Sequence, residues 1–343
     1  MGVTIYDIAE AAQVSITTIS KILNGKDQDI SKKTHDRVLQ VMEQLNYKPN
    51  AIARSLVTKK TNVIGLLIPD ISNPYFSELA RGVEDGAGKF GFNVIFCDTD
   101  EDQEKELEYL KILKEKGADG IVFVPIAASR YDVIKGSETY GRPLVVLDRG
   151  CEYFDPNIGQ VVFDNVMSGY LAAKYLTDRG HRRIACVTGP KTSKNSCDRL
   201  SGYRKALDEA GIGFDSTLVF EGNYHFDGGV EGGTSLIHSG ATAFFVENGP
   251  MAGGVYQAIF AAGKKIPEDI SVIGCGDANL SCMLNPPLTS ILQPKLDMGR
   301  KAGEILARMI LGEHGDLYVE YKPRLEERQS VKRLPNAPES VGS

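Results

Sequence analysis

No run of about 18 apolar residues occurs in the 343-residue chain, so no segment is expected to cross a membrane. The N-terminus opens on a capped helical pattern, not a basic-then-apolar leader, so no signal peptide is expected. The six cysteines (97, 151, 186, 197, 275, 282) include no Cys-x-x-Cys pair, and several stand in apolar runs. Free thiols in a reducing cytoplasm fit that pattern best. The five histidines (35, 181, 225, 238, 314) lack metal-ligand spacing, and His181 in DRGHRR reads as a loop or cap residue. No G-x-G-x-x-G follows the first strand-like run, where IPDISNP stands, and there is no P-loop and no G-x-S-x-G elbow. The acidic run Asp98-Thr99-Asp100-Glu101-Asp102 has no EF-hand pattern and reads as a solvated strand end and helix start. No nucleophile, acid/base pair or metal cluster emerges, so an enzyme is disfavoured and no cofactor is expected.

Net charge is −6, which taken whole argues against nucleic acid. Its distribution argues the other way. Residues 1–60 hold nine Lys/Arg against six Asp/Glu, a net +3; the remainder holds 30 against 39, a net −9. A basic head on an acidic body suggests that only the head meets DNA.

The head is organised around Thr4 to Leu23, TIYDIAEAAQVSITTISKIL. Thr4 is a good N-cap, and Asp7 stands at the third helical position, an acidic variant of the capping box. Ile5, Ile8, Ala9 and Ala12 give one apolar face. Gln13-Val14 leaves room only for a tight corner. Ser15 is a second N-cap, with Thr18 at its third position. In the second helix Ile19, Ile22 and Leu23 point one way, and Thr17, Ser20 and Lys21 the other, with Ile16 at the exposed tip. Small hydroxyls, one apolar tip and one cation suit a DNA major groove. A helical hairpin that merely packs stays open on these residues alone.

Further on, NGKDQDI, from Asn24 to Ile30, reads as a polar loop. Ser31 caps a third helix whose Val38, Val41, Met42 and Leu45 can close a three-helix core over Ile8 and Ile19. Asn46 ends it before Tyr47-Lys48-Pro49. Asn50 then caps AIARSL, too short to be helical alone in water. Ala51 and Ala53 would let two copies pack closely, and Arg54 and Leu56 suit a minor groove, one reading charge and width, the other wedging a base step. A plain linker stays open for this segment.

From residue 61 apolar strand-like runs alternate with helical patterns. One series is 63–70, 93–99, 120–125 and 143–149; a second is 161–164, 183–190, 218–222, 243–248 and 271–277. This is the mark of parallel βα units with helices on both faces, here in two doubly wound subdomains joined near 150–162. Ligands in such folds bind beyond the carboxyl ends of strands. Asn73, Tyr75, Phe76, Asp148, Arg149, Asn248 and Asp277 follow strands, and Arg199 and Phe226 lie near helix starts. Aromatics to stack on a ring face, with Asp, Asn and Arg to bond hydroxyls, would hold a sugar. Caps and turn formers would use the same residue types.

Residues 3–57, VTIYDIAEAAQVSITTISKILNGK through YKPNAIARSLV, resemble the DNA-binding head of the lactose/purine repressor (LacI) family. Residues 61 to about 333, with IGLLIPDISNPYF, RGHRRIACVTGP, IPEDISVIG, PPLTSILQP and PRLEERQSV, resemble that family's effector domain, related to periplasmic ribose-binding proteins. The resemblance implies base reading by Ile16, Thr17 and Lys21, and a minor-groove wedge at Leu56. It implies sugar contacts at Asn73, Tyr75, Phe76, Asp148, Arg149, Arg199, Phe226, Asn248 and Gln293. Two departures stand in the second half of the cleft. The family's usual Asp after Gly274-Cys275 is Gly276, with Asp277 one place later, and its usual Asn-Asp is Asn248-Gly249.

The expected architecture is α/β: a three-helix helix-turn-helix head with a hinge helix, then two doubly wound parallel-sheet subdomains, periplasmic-binding-protein-like. Residues 1–60 form the head, with the hinge at 50–57. Residues 61–333 form the effector domain, its first subdomain about 61–160 and 294–320 and its second about 161–290 and 321–333; 334–343 is a tail. DNA contacts are expected from Thr4, Ser15, Ile16, Thr17, Thr18, Ser20, Lys21, Asn24, Arg54 and Leu56. The expected protein is a cytoplasmic transcription regulator, a repressor released by a small sugar-like effector, acting as a homodimer on a palindromic operator with no membrane partner. A corepressor-dependent regulator responding to a non-sugar metabolite and a sugar-binding transport protein are the alternatives.

Overall fold

The computed structural model describes residues 3–23, 25, 27–47, 60–126, 141–150, 158–276, 278–313 and 315–335. The chain divides into two units, Met1–Thr61 and Asn62–Ser343.

The first unit holds helices α1 (Ile5–Ala12), α2 (Ile16–Leu23) and α3 (Lys32–Gln44). Their starts are written locally. The Thr4 hydroxyl accepts the Asp7 N–H at 3.4 Å, and the Asp7 carboxylate accepts the Thr4 N–H at 2.7 Å, a complete capping box. Ser15 accepts the Thr18 N–H at 3.1 Å, and Ser31 accepts the Thr34 N–H at 3.2 Å. Gln13 turns the corner in the left-handed region, with φ 52° and ψ 49°. Ile8, Ala12, Ile19, Ile22 and Val38 form the buried core, with Ile5, Ala9, Leu23, Val41 and Met42 packed on it. Leu45 departs from the expected pattern: it is exposed. It is the C-cap of α3, and Asn46 turns left-handed at φ 49°, so the helix ends before Leu45 can reach the core.

In the second unit, strands β1 (Val63–Ile68), β2 (Asn93–Asp98), β3 (Gly120–Phe123), β4 (Leu144–Asp148), β5 (Ile158–Phe163) and β11 (Tyr318–Tyr321) form one sheet, in the order β11-β5-β4-β3-β1-β2. All its pairings are parallel. Strands β6 (Ile184–Thr188), β7 (Val219–Glu221), β8 (Ala243–Val246), β9 (Ser271–Gly276), β10 (Thr289–Leu292) and β12 (Arg324–Glu326) form the other, in the order β12-β10-β9-β8-β6-β7, with only β10–β12 antiparallel.

Two expectations need correction. The run 161–164 does not begin the second series: as part of β5 it pairs with β4 and β11 in the first sheet. Strands β10, β11 and β12 were not anticipated. A strand buried on both faces carries no mark of which sheet it joins, and the short edge strands β11 and β12 have too few apolar residues to stand out. The chain crosses between the sheets at Asp164, at Gln293–Pro294 and at Lys322–Pro323. Two of these crossings are tied: Lys322 Nζ lies 3.0 Å from Asp164 Oδ2, and the Asp164 N–H donates to the Tyr321 carbonyl at 3.0 Å.

Helix α4 (Pro74–Gly88) packs under the first sheet with α10 (Lys295–Leu311). In the second half, α6 (Asn165–Thr177) lies against α7 (Lys194–Glu209) at a distance set by glycine. A Cβ on Gly169 would overlap the Arg199 carbonyl oxygen, and one on Gly202 would overlap that of Val166. That close approach fixes the helix carrying Asn195 and Arg199.

The acidic run after β2 is only partly solvated. Asp102 caps α5 (Gln103–Glu115), accepting N–H groups of Glu104 and Lys105 at 2.7 and 3.3 Å, but Thr99 is buried and bonds the Ile68 carbonyl at 3.2 Å. His181 is a loop residue, as expected, but fully buried. Its ring joins the Thr242 hydroxyl at 2.9 Å and the Lys332 carbonyl at 3.2 Å. Among the described residues no helix is long and apolar enough to cross a membrane.

Candidate functional site

In the first unit α2 leaves a polar face. Ile16, Thr17 and Ser20 are exposed while Ile19 and Ile22 fill the core, as helical spacing requires. Ser15 and Thr18 bond each other through their hydroxyls at 2.9 Å, and the Thr4 hydroxyl is held by Asp7 at 2.8 Å, so these three groups hold helix ends. Lys21 is paired with Asp29, a partner that spacing along α2 could not reveal. The pair is exposed, so it holds Lys21 weakly. Asn24, Arg54 and Leu56 lie outside the described residues.

In the second unit the carboxyl ends of the parallel strands of both sheets open onto one cleft. The turn after β1 contributes Asn73, which caps α4 through the Tyr75 N–H at 3.0 Å, and then Tyr75 and Phe76. The end of β4 contributes Asp148 and Arg149. The second sheet brings Asn195 and Arg199 on α7, Glu247 and Asn248 after β8, and Gly276 at the end of β9; Gln293 stands at a crossing.

These groups hold one another. The Tyr75 hydroxyl donates to Asp148 Oδ1, Asn195 Nδ2 donates to Asp148 Oδ2 at 3.0 Å, and Gln293 Nε2 donates to the Tyr75 oxygen at 3.4 Å. Asp148 has φ 69°, a backbone state that Asp tolerates better than most side chains. Burial pushes its carboxyl above the ordinary range; Arg149, the Tyr75 hydroxyl, Arg199 and Asn195 act the other way. Arg149 donates to the carbonyls of Pro125 and Ile126 at 3.0 and 2.6 Å and lies 5.9 Å from the Phe76 ring centroid. Arg199 donates to the Glu247 carbonyl at 2.9 Å. The Nε of each arginine has no hydrogen-bond partner among the described residues. Asn248 caps α9 (Gly249–Ala261) through the Met251 N–H at 3.0 Å and donates to the Tyr224 carbonyl at 2.6 Å.

Asn73, Tyr75, Phe76, Asp148, Arg149, Arg199, Asn248 and Gln293 thus meet in one place. Phe226 does not join them. It is 48% exposed at the start of α8 (Phe226–Leu236), and Tyr224 and His225 line the cleft beside that point instead. A residue at a strand-to-helix turn can face either side, and spacing does not choose. Asp277 lies outside the described residues. Asn195, Tyr224, Glu247, Cys275 and Glu101 were missed. Asn195 had a signal, standing four residues before Arg199 on one helix face. Glu247 had another, following β8 directly.

Residues 4–50 match bacterial regulatory proteins of the lacI family, and residues 173–331 match the periplasmic binding protein-like domain. The chain is 37% identical over 338 residues to catabolite control protein A of Priestia megaterium, covering 97% of this chain and 100% of that one. This chain belongs to the lacI family. It is a DNA-binding transcription regulator. Among solved structures, this lacI-family chain is similar to the lac repressor dimer bound to operator and the anti-inducer ONPF, with TM-score 0.85 and 26% identity over 97% of this chain and 100% of that one. It is also similar to a LacI family regulator from Enterococcus faecium with bound ribose, with TM-score 0.72 and 34% identity over 79% of this chain and 99% of that one.

Proposed function

We propose that this regulator is a homodimeric repressor whose operator affinity is set by a small sugar-like effector in the cleft of the second unit. One observation carries the reading: acidic, basic, amide and aromatic side chains from both sheets converge beyond the carboxyl ends of parallel strands. Hydroxyls need both donors and acceptors, and Asp148, Arg149, Arg199, Asn195 and Gln293 supply both. Ribose in the Enterococcus faecium relative supports a sugar. The effector contacts are Asn73, Tyr75, Asp148, Arg149, Arg199, Asn248 and Gln293, with Phe76 as an apolar wall.

Operator DNA is read in the major groove by Ile16, Thr17, Ser20 and Lys21, with Ser15, Thr18 and Thr4 fixing the helices. Arg54 and Leu56 add minor-groove contacts. One head makes few base contacts, so two act on a palindrome. The lac repressor dimer on operator supports this, and the exposed Ile71, Ile95, Phe96 and Leu107 offer apolar surface for a second copy. A regulator of operator DNA works in the cytoplasm.

Coupling is tested by titrating an effector, found by thermal shift on a sugar and sugar-phosphate panel, with and without operator DNA. Tenfold release needs about 1.4 kcal/mol of differential binding, and thousandfold about 4. A weaker effector constant on DNA supports an inducer. Equal constants refute the coupling, and a tighter one makes the ligand a corepressor. Light scattering at micromolar concentration should give a dimer.

A further inference from the structure

We propose that Glu247 is the group by which the second half of the cleft selects its ligand: its Oε1 accepts a hydrogen bond from a hydroxyl of a neutral polyol, and together with Asp148 it turns away anionic ligands. This inference rests on the reading of the cleft as an effector site.

Glu247 is fully buried and lines the cleft. Its Oε2 accepts the Gly189 N–H at 2.9 Å, whereas its Oε1 has no hydrogen-bond partner among the described residues. A buried carboxylate oxygen without a donor is costly, and a ligand donor is one way to relieve it. The neighbouring lining residues Gly249, Pro250 and Gly276 bring no charge. Glu247 is therefore the sole carboxylate that the second sheet's side gives to the described lining. Across the cleft each Asp148 oxygen already accepts one bond.

The unpartnered donors complete the pattern. Arg149 Nε and Arg199 Nε are buried without acceptors among the described residues. A hydroxyl both donates and accepts, so adjacent hydroxyls can donate a hydrogen bond to Glu247 and accept hydrogen bonds from the guanidinium groups. A phosphate offers acceptors alone. It would suit the arginines but leave Oε1 facing like charge.

Burial pushes the Glu247 carboxyl up to about 7, against the Arg199 charge, the Gly189 N–H and the Ser196 hydroxyl. Cys186, Cys275 and Tyr224 also feel its charge, and Asp148, Arg149, His225 and Glu101 line the same cleft. A ligand hydroxyl favours the ionised form. Binding should therefore release a proton, and affinity should rise about tenfold between about pH 6 and 8.

The test is calorimetry on the full chain with D-ribose, D-glucose, D-mannitol and cellobiose, and with D-glucose 6-phosphate. Each is titrated across that pH range in two buffers of different ionisation heat. The expected result is binding of a neutral probe with roughly half a proton released near pH 7, and no binding of the phosphate ester. Glu247→Gln should lose about tenfold or more in affinity, together with the pH dependence. Zero proton release by the wild type, which needs no variant, overturns the proposal. So does tighter binding of glucose 6-phosphate, or a Glu247→Gln titration with unchanged affinity and pH slope. Asp148→Asn separates the two levels. If it weakens binding and Glu247→Gln does not, only this inference fails; if neither does, or no neutral probe binds, the effector reading fails with it.

Discussion

Replacing Asp148 by Asn should silence the effector response while leaving the protein folded and able to bind operator. The choice of Asn over Ala follows from the geometry. Asp148 is buried and accepts from the Tyr75 hydroxyl and from Asn195 Nδ2. Alanine would orphan both donors at about 1–3 kcal/mol each, a loss easily mistaken for a binding defect. Asparagine keeps the volume and one acceptor, and rotation of the Asn195 amide can present its oxygen to the new Nδ2. The folded state also sheds a carboxylate whose burial outweighs its partners, so the stability loss should be small. Binding loses more. A charge-assisted bond to a ligand hydroxyl becomes a neutral one, costing about 1.5–3 kcal/mol, or roughly 10- to 150-fold in Kd. The assay is calorimetric titration of any sugar the wild type binds, with operator affinity by fluorescence anisotropy and melting temperature as controls. Operator affinity and melting temperature should stay near wild type. An unaltered titration would remove Asp148 from the site, and collapse of all three readouts would make it structural.

On the head, Thr17→Ala and Lys21→Ala should each relax sequence choice at about 1–3 kcal/mol per lost base contact, read by selection from random DNA; unchanged preferences for Lys21→Ala would show that the face is misassigned. Gly202→Ala should push α7 off α6, costing about 1–3 kcal/mol of overpacking and weakening effector binding through Asn195 and Arg199; a wild-type melting temperature would refute the close contact. Burial lowers the His181 imidazole below its ordinary 6.5, so the unfolded chain binds the proton more readily. The stability this contributes is present above that value and is lost as pH falls below it. His181→Gln should therefore flatten the acid limb of a melting curve series between about pH 5 and 8; parallel limbs would exclude the effect.

What the chain wrote into its own sequence is what acts over a few residues. The caps at Thr4, Ser15 and Ser31 each reach an N–H three positions on, so they follow from the local string. The apolar face of α2 follows from helical spacing, and the two sheets follow from strand-like runs separated by helical ones. Most of the cleft was legible for a related reason. Asp148, Arg149 and Asn248 stand where parallel strands end, and parallel strands share one end.

Tertiary structure decided what depends on partners far along the chain. Ile158–Phe163 is buried on both faces, and only its pairing with β4 and β11 assigns it to the first sheet. Lys21 points outward as its spacing requires, yet its partner Asp29 comes from the following loop. Phe226 is exposed and outside the cleft lining, while Asn195 meets Asp148 from 47 residues off. Glu247 shows the limit most clearly. Its place after a strand is written in the sequence, but the bond from Gly189 to one oxygen and the second oxygen without a partner among the described residues arise only when β6 and β8 lie side by side.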